Sequence, residues 1–133
     1  MGLSKAAKGE AVRVTIREAN GAGLTGKQLQ AALDYTESQV QSGLVVVRDV
    51  LALDHGTPLT WNSRDGYQFA KDASVWIKYE RAFFRAEAKR IKRMLTGTIE
   101  PHKALLPDDD WINHVAQQLG GFQGALALLG HEN

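Results

Sequence analysis

Two helix-start signals of the same form lie close together in this chain and constrain it more than any other feature. Thr25-Gly-Lys-Gln28 and Thr36-Glu-Ser-Gln39 each place Thr three residues ahead of Gln. In such a capping box the Thr hydroxyl accepts from the Gln backbone N–H, and the Gln side chain reaches back to the Thr N–H. The first box opens a helix to about Leu33, and Asp34-Tyr35 turns the chain. The second opens a helix from about Glu37 to Leu53, with Val40, Leu44, Val47 and Leu51 on one face. Two capped helices across a short turn outline a helix-turn-helix. Pro58-Leu-Thr-Trp61 and Gly66-Tyr-Gln-Phe69 then read as strands around Asn62-Ser63-Arg64-Asp65, with Asp65-Gly66 as turn chemistry. A β-hairpin directly after the second helix reads as a wing. Trp61, Tyr67 and Phe69 alternate along it, so one face is expected to pack down, with Trp61 and Tyr67 as cross-strand or core partners.

The flanking segments read as helices. An upstream helix from about Ser4 to Ala19 carries Ala7, Ala11, Val14 and Glu18 in register and stops at Asn20-Gly21; Val12, Val14 and Ile16 alternate, which also fits a short strand. Downstream, Ser74 or Asp72 caps a helix to Thr96, with Gly97 as its left-handed stop. Trp76, Ile77, Phe83, Phe84, Ala88, Ile91, Met94 and Leu95 share one broad face of it; Lys78, Arg81, Arg85, Lys89, Lys92 and Arg93 share the other. Pro101 and Pro107 bracket a loop, and Asp108, Asp109 and Asp110 suit the start of a last helix. There Ile112, Val115, Leu119, Phe122, Leu126 and Leu129 alternate steps of three and four as an a/d seam. Gly120, Gly121 and Gly124 interrupt it, each weakening the isolated helix by about 1 kcal/mol relative to Ala. They leave room for another helix to approach.

The predicted fold is mainly α: a winged helix-turn-helix with a two-stranded hairpin wing over 1–72, then a C-terminal helical hairpin for dimerisation over 73–133. At 133 residues the chain is too short for a two-domain enzyme. With no cysteine it has neither disulfides nor thiolate chemistry. No apolar run is long enough to span a membrane, and no signal-peptide pattern opens the chain. Met1-Gly2 lacks the Ser or Thr a myristoylation motif wants at the sixth position, where Ala6 stands. The expected location is cytoplasmic. The net charge of +1 hides segregation. Residues 21–54 hold two cations against four anions, net −2, whereas residues 74–100 hold seven against three, net +4. A segregated basic stretch steers toward a polyanion even when the whole molecule does not.

Several motifs resolve into ordinary structure. Gly21-Ala-Gly-Leu-Thr-Gly26-Lys27 matches two nucleotide-binding patterns, but no strand abuts it, and Gln28 stands where a Mg²⁺-binding hydroxyl belongs. It reads as a glycine-rich turn. Leu44-Val-Val-Val-Arg-Asp49 mimics a strand with a terminal Asp, yet the chain lacks strands for such a sheet. His55, His102, His114 and His131 lack metal-ligand spacing, with His55 in a loop before the wing. No Ser/His/Asp arrangement stands out. No catalytic residue, metal or cofactor is expected.

What remains is nucleic-acid chemistry. Ser38, Gln39, Gln41 and Ser42 line the exposed start of the second helix, where Gln reads adenine and Ser reads base edges or phosphate. Thr36 stands at the start of that helix. Lys27 at the preceding helix start and Arg48 suit phosphates. Asn62, Ser63 and Arg64 at the wing tip suit a minor groove or phosphate. Glu37, Asp49 and the local charge of −2 oppose tight binding by a monomer. Trp76, Phe83, Ile112, Val115, Leu119, Phe122, Leu126 and Leu129 are the expected dimerisation residues.

Through Leu24-Thr-Gly-Lys-Gln-Leu29, Thr36-Glu-Ser-Gln-Val40 and the hairpin, the stretch from about Gly9 to Phe69 resembles winged helix-turn-helix DNA-binding proteins. More narrowly, Pro58-Leu-Thr-Trp-Asn-Ser-Arg-Asp-Gly-Tyr-Gln-Phe69, Trp76-Ile77 and Leu95-Thr-Gly-Thr-Ile99-Glu-Pro-His102 resemble the RacP-like small proteins of actinobacteria and their phages and mobile elements. The resemblance implies a repressor-like transcription regulator in a bacterial cytoplasm or phage-infected host, binding double-stranded DNA as a homodimer. The competing expectation is a winged-helix protein-interaction module for a host or partner protein. A third has Lys78–Arg93 bind nucleic acid without sequence preference.

Overall fold

A computed structural model describes residues Leu3–His131. Met1 and Gly2, on which the acylation reading rests, lie outside the described residues, as do Glu132 and Asn133. The chain is mainly helical, with a two-stranded antiparallel sheet and a helical C-terminal region. It divides into one unit up to Tyr79 and another from Glu80 onward, and the division falls inside a helix.

In the first unit, helix α1 (Lys5–Glu18) starts where the Ser4 hydroxyl accepts the Ala7 N–H at 3.1 Å. The Val12–Ile16 stretch is therefore helix, not strand. Its buried residues are Gly9, Val12, Arg13 and Ile16, which corrects the face expected from Ala7, Ala11, Val14 and Glu18. The reason is a close crossing with helix α3 (Glu37–Val46). A Cβ on Gly9 would lie 2.5 Å from Val46 Cγ1; one on Gly43 would lie 2.6 Å from Val12 Cγ2 and 2.8 Å from the Lys8 carbonyl oxygen. The faces that carry these glycines must meet, because nothing larger fits between the backbones. Arg13 is buried beside this crossing and donates to both carboxylate oxygens of Glu10, with Nε at 2.9 Å. That bond holds the Glu10 carboxyl below its ordinary range and raises the Arg13 guanidinium.

Helix α2 (Gly26–Leu33) and α3 begin at two complete capping boxes. Thr25 and Thr36 hydroxyls accept the Gln28 and Gln39 N–H groups at 3.2 Å, and the Gln side chains accept the Thr N–H groups at 2.8 Å. Asp34 turns the chain between them at φ 53. Thr36→Ala is expected to lower stability by about 1 kcal/mol; an unchanged urea midpoint would contradict the box. After α3, a π-helical turn (Val47–Leu51) leads into α4 (Ala52–His55), which ends at Gly56 with φ 64. His55 thus closes a helix instead of lying in a loop. Val40, Leu44 and Val47 face inward as the helical period requires, and join Val12, Ile16, Leu29, Tyr67 and Phe69 in the core.

Strands β1 (Thr60–Asn62) and β2 (Gly66–Gln68) pair with Trp61 opposite Tyr67. Leu24 adds a third segment: its N–H donates to the Tyr67 carbonyl at 2.9 Å and its carbonyl accepts the Tyr67 N–H at 2.8 Å. With backbone on both edges, β2 is buried at Gly66, Tyr67 and Gln68, and Phe69 follows buried. The alternation expected for a one-sided hairpin is therefore absent. Gly23 and Gly66 explain how the segments cross. Both have positive φ (84 and 81), and a Cβ on Gly66 would lie 2.3 Å from the Leu24 carbonyl oxygen. Of the glycines in the nucleotide-like motif, Gly23 serves this crossing and Gly21, at φ 86, the turn before it.

Helix α5 (Ala73–Met94) is capped by Asp72, whose Oδ1 accepts the Ser74 N–H at 2.9 Å; Ser74 is not the cap. That bond holds the Asp72 carboxyl below its usual range. The chain does not stop at Gly97. A π-helical turn (Leu95–Ile99) leads into α6 (Glu100–Leu105), placing Pro101 in its first turn and correcting the loop expected from there. The Glu100 N–H bonds to the Leu95 carbonyl, a wider ladder that accommodates the donor Pro101 lacks.

In the second unit, α7 (Asp110–Gly130) starts at Asp109, whose Oδ1 accepts the Ile112 N–H at 3.0 Å. Ala88, Ile99, Ile112 and Leu126 are buried. Arg85 donates to the Gly130 carbonyl at 2.9 Å, and a Cβ on Gly130 would lie 2.7 Å from the Arg85 backbone nitrogen. Arg85 is thereby withdrawn from the basic face expected of α5. Phe84, Ile91 and Leu95 are partly buried, whereas Phe83 and Met94 are exposed. The expected broad apolar face narrows to one stripe. Among the described residues no helix is long and apolar enough to cross a membrane.

Candidate nucleic-acid interface

With Val40, Leu44 and Val47 turned to the core, the helical period leaves Ser38, Gln41 and Val45 on the opposite surface of α3. Ser38, Gln41 and Val45 are exposed and Ser42 is half-buried beside them. Val45 was not among the expected site residues. Its signal lay in the register: once Leu44 and Val47 face inward, the residue between them at this spacing faces out.

The start of α2 lies beside this surface. Thr25, Gly26, Lys27 and Gln30 with Glu37, Val40 and Gln41 line an open cleft of about 370 Å³. Lys27 and Gln41 are thus brought together, in company with the Glu37 carboxylate. Thr36 and Gln39 form the expected capping box. Gln39 spends Oε1 on the Thr36 N–H, so it cannot offer the oxygen and nitrogen together that a bidentate adenine contact needs. The pair positions α3.

At the hairpin tip, Asn62 Oδ1 accepts the N–H groups of Arg64 at 3.0 Å and Asp65 at 2.7 Å. Asn62 therefore shapes the turn, while Ser63 and Arg64 are exposed. Arg64 Nε lies 3.9 Å from Asp65 Oδ1 with the Arg side chain 93% exposed, a surface pair too weak to fix it. Arg48 sits with its guanidinium 5.7 Å above the Tyr67 ring, which ties the π-helical turn after α3 to the hairpin. On the outer side Trp61 tilts over Tyr67 with ring centres 6.4 Å apart.

Among the expected dimerisation residues, Ile112 and Leu126 are buried within the chain, and Val115 and Leu119 are half-buried. The predicted seam is therefore two neighbouring stripes. Ile112, Leu119 and Leu126 turn inward; Phe122 and Leu129 turn outward, 56% and 55% exposed, and Trp111 joins them at 68%. Sequence reading missed Trp111, although its spacing to Phe122 and Leu129 follows the helical period. Trp76 belongs to the first unit, where its indole donates to the Ala70 carbonyl at 2.8 Å. Phe83 is half exposed and meets Phe84 edge-on at 5.7 Å between centres. Among the described residues, no atom beyond the adjoining stretch of α7 comes within 4 Å of a Cβ built on Gly120, Gly121 or Gly124, so no other described helix approaches them closely. Lys89, Lys92 and Arg93 remain exposed on α5, and Arg90 pairs with Glu87 at 2.9 Å.

No family model, curated protein or solved structure matches the chain. Among the described residues no group of three or more His, Asp or Glu side chains is placed to hold a metal ion.

Proposed function

We propose that the protein is a sequence-specific, repressor-like DNA-binding regulator of the winged helix-turn-helix class, acting as a homodimer. The observation that carries this reading is the Ser38–Gln41–Val45 surface on a helix whose other side is locked into the core, with Lys27 alongside. Gln41 suits adenine, Ser38 suits a base edge or phosphate, and Val45 suits a thymine methyl. The eight-residue α2, with its free N-terminal N–H groups and Lys27, suits a backbone phosphate. Arg64 at the hairpin tip reaches a phosphate or the minor groove.

Residues 21–54 carry a net charge of −2, so one copy binds weakly and two half-sites are needed. Trp111, Phe122 and Leu129 supply an apolar face for a second copy, and the open surface at Gly120, Gly121 and Gly124 lets a helix come close. An origin in a phage or mobile element, and a bacterial cytoplasm as its location, rest on the family resemblance and belong to the same proposal.

Binding of a labelled random-sequence duplex, followed by anisotropy against salt, tests the interface. Lys27→Gln and Arg64→Gln are each expected to flatten the log–log salt slope by about 0.9; slopes equal to the parent's would contradict it. Light scattering tests the assembly. The parent chain is expected to be a dimer and Phe122→Glu a monomer, whereas a monomeric parent would overturn that half.

One observation favours a second reading. Val50 and Leu53 continue the outer side of the α3–α4 helix and are 48% and 85% exposed, an apolar surface more suited to a protein partner than to phosphate. Under it the unit is a docking module for a host or partner protein.

A further inference from the structure

We propose that the first unit holds a second site, separate from the α3 surface, that binds a small aromatic carboxylate. A cleft of about 390 Å³ lies between the end of α1, the Gly56–Pro58 turn and the chain entering α5. Pro58, Phe69 and Trp76 are its apolar lining, with Arg17 and Lys71 as cations and no carboxylate among its lining residues. Concave sites of this size, mostly apolar with a few convergent polar groups, suit small organic ligands. The aromatic residues select a flat apolar body, and the guanidinium and ammonium select an anionic head.

Two features set this cleft apart from an ordinary surface fold. The Thr57 hydroxyl in its wall is buried without a hydrogen-bond partner among the described residues, although the Thr57 N–H is anchored to the Ala52 carbonyl at 2.9 Å. Native structures rarely leave such a group unpaired. Trp76 is held rigidly by its 2.8 Å bond to the Ala70 carbonyl, which presents a fixed ring at the cleft. Asp72, the nearest carboxylate in sequence to Lys71, is occupied as the α5 cap. A ligand here contacts α1, the residues flanking both strands of the hairpin, and the first turn of α5.

The test is a titration of the full chain, labelled with ¹⁵N, with 2-naphthoate and with 2-naphthylmethanol, its neutral analogue. The Trp76 indole N–H is the reporter, assigned against Trp61→Phe and Trp111→Phe variants. A saturable shift with naphthoate, at roughly ten-fold higher affinity than the alcohol, is expected from the charge-assisted contacts. Combined Arg17→Gln and Lys71→Gln, both at exposed positions, are expected to remove that preference while leaving alcohol binding unchanged. No saturable Trp76 shift, equal affinity for the two compounds, or an unaltered preference in the double variant would overturn the proposal. DNA is absent from every arm, so the outcome is independent of the function proposed above.

Discussion

Gly43→Val is expected to destabilise the first unit by roughly 3 kcal/mol, the upper range for forcing extra methyl groups into a packed interior. The clash is not one a side chain relieves by rotating away. The added Cβ would meet Val12 Cγ2 at 2.6 Å, and Val12 is fully buried; it would also meet the Lys8 carbonyl oxygen at 2.8 Å, which is backbone. Separating α1 from α3 is the remaining response, and it opens the core shared by Val12, Ile16, Val40 and Leu44. Gly120→Ala is the contrasting case. Among the described residues, no atom beyond the adjoining stretch of α7 lies within 4 Å of its built Cβ, and it sits inside α7, so the helix gains about 1 kcal/mol. In urea denaturation the first variant lowers the midpoint and the second does not. A Gly43→Val chain as stable as the parent would mean that α1 and α3 do not cross there.

Gln41→Ala is expected to lose discrimination at one base pair by about 1–3 kcal/mol, roughly ten- to a hundred-fold, while affinity for unrelated sequences stays the same. Arg64→Ala is expected to weaken all sequences alike and to reduce the salt dependence. The structure separates a third behaviour from these two. Gln39→Ala removes a cap acceptor from the Thr36 N–H and costs about 1 kcal/mol of stability, without changing the preferred sequence. Competition binding with a matched and a singly mismatched duplex distinguishes the three. Equal effects of Gln41→Ala and Arg64→Ala on every sequence would contradict the groove assignment.

The parts of the fold legible in the sequence are those set by local chemistry. Both capping boxes form with matching distances, because each is written within four consecutive residues. The inward face of α3 was legible because Val40, Leu44 and Val47 keep a clean period. The inward face of α1 was not. Its determinant is Gly43, distant in sequence, and Gly9, which carries no hydrophobic signal of its own. The strand-like Leu24 was missed for the same reason: its partner, Tyr67, is set by tertiary pairing. Gly97 reads as a helix stop and Pro101 as the start of a loop, yet a π-helical turn that packs against α7 carries the chain through Gly97 into α6. In the candidate site, Lys27, Ser38, Gln41 and Arg64 were legible as exposed polar groups. Asn62 reads as free because residue type does not reveal that its side chain is spent on the backbone, whereas the capping box already commits Gln39 to the Thr36 N–H. Val45 and Trp111 were hidden by their apolar character, which in a sequence reads first as core.

The central claim is that a dimer reads DNA through α3, and selection from a pool of random duplexes with the full chain tests it most directly. The expected result is an enriched inverted repeat whose half-site centres lie about ten base pairs, one helical turn, apart. A pool that remains random after repeated rounds, with no motif above the input, would contradict it.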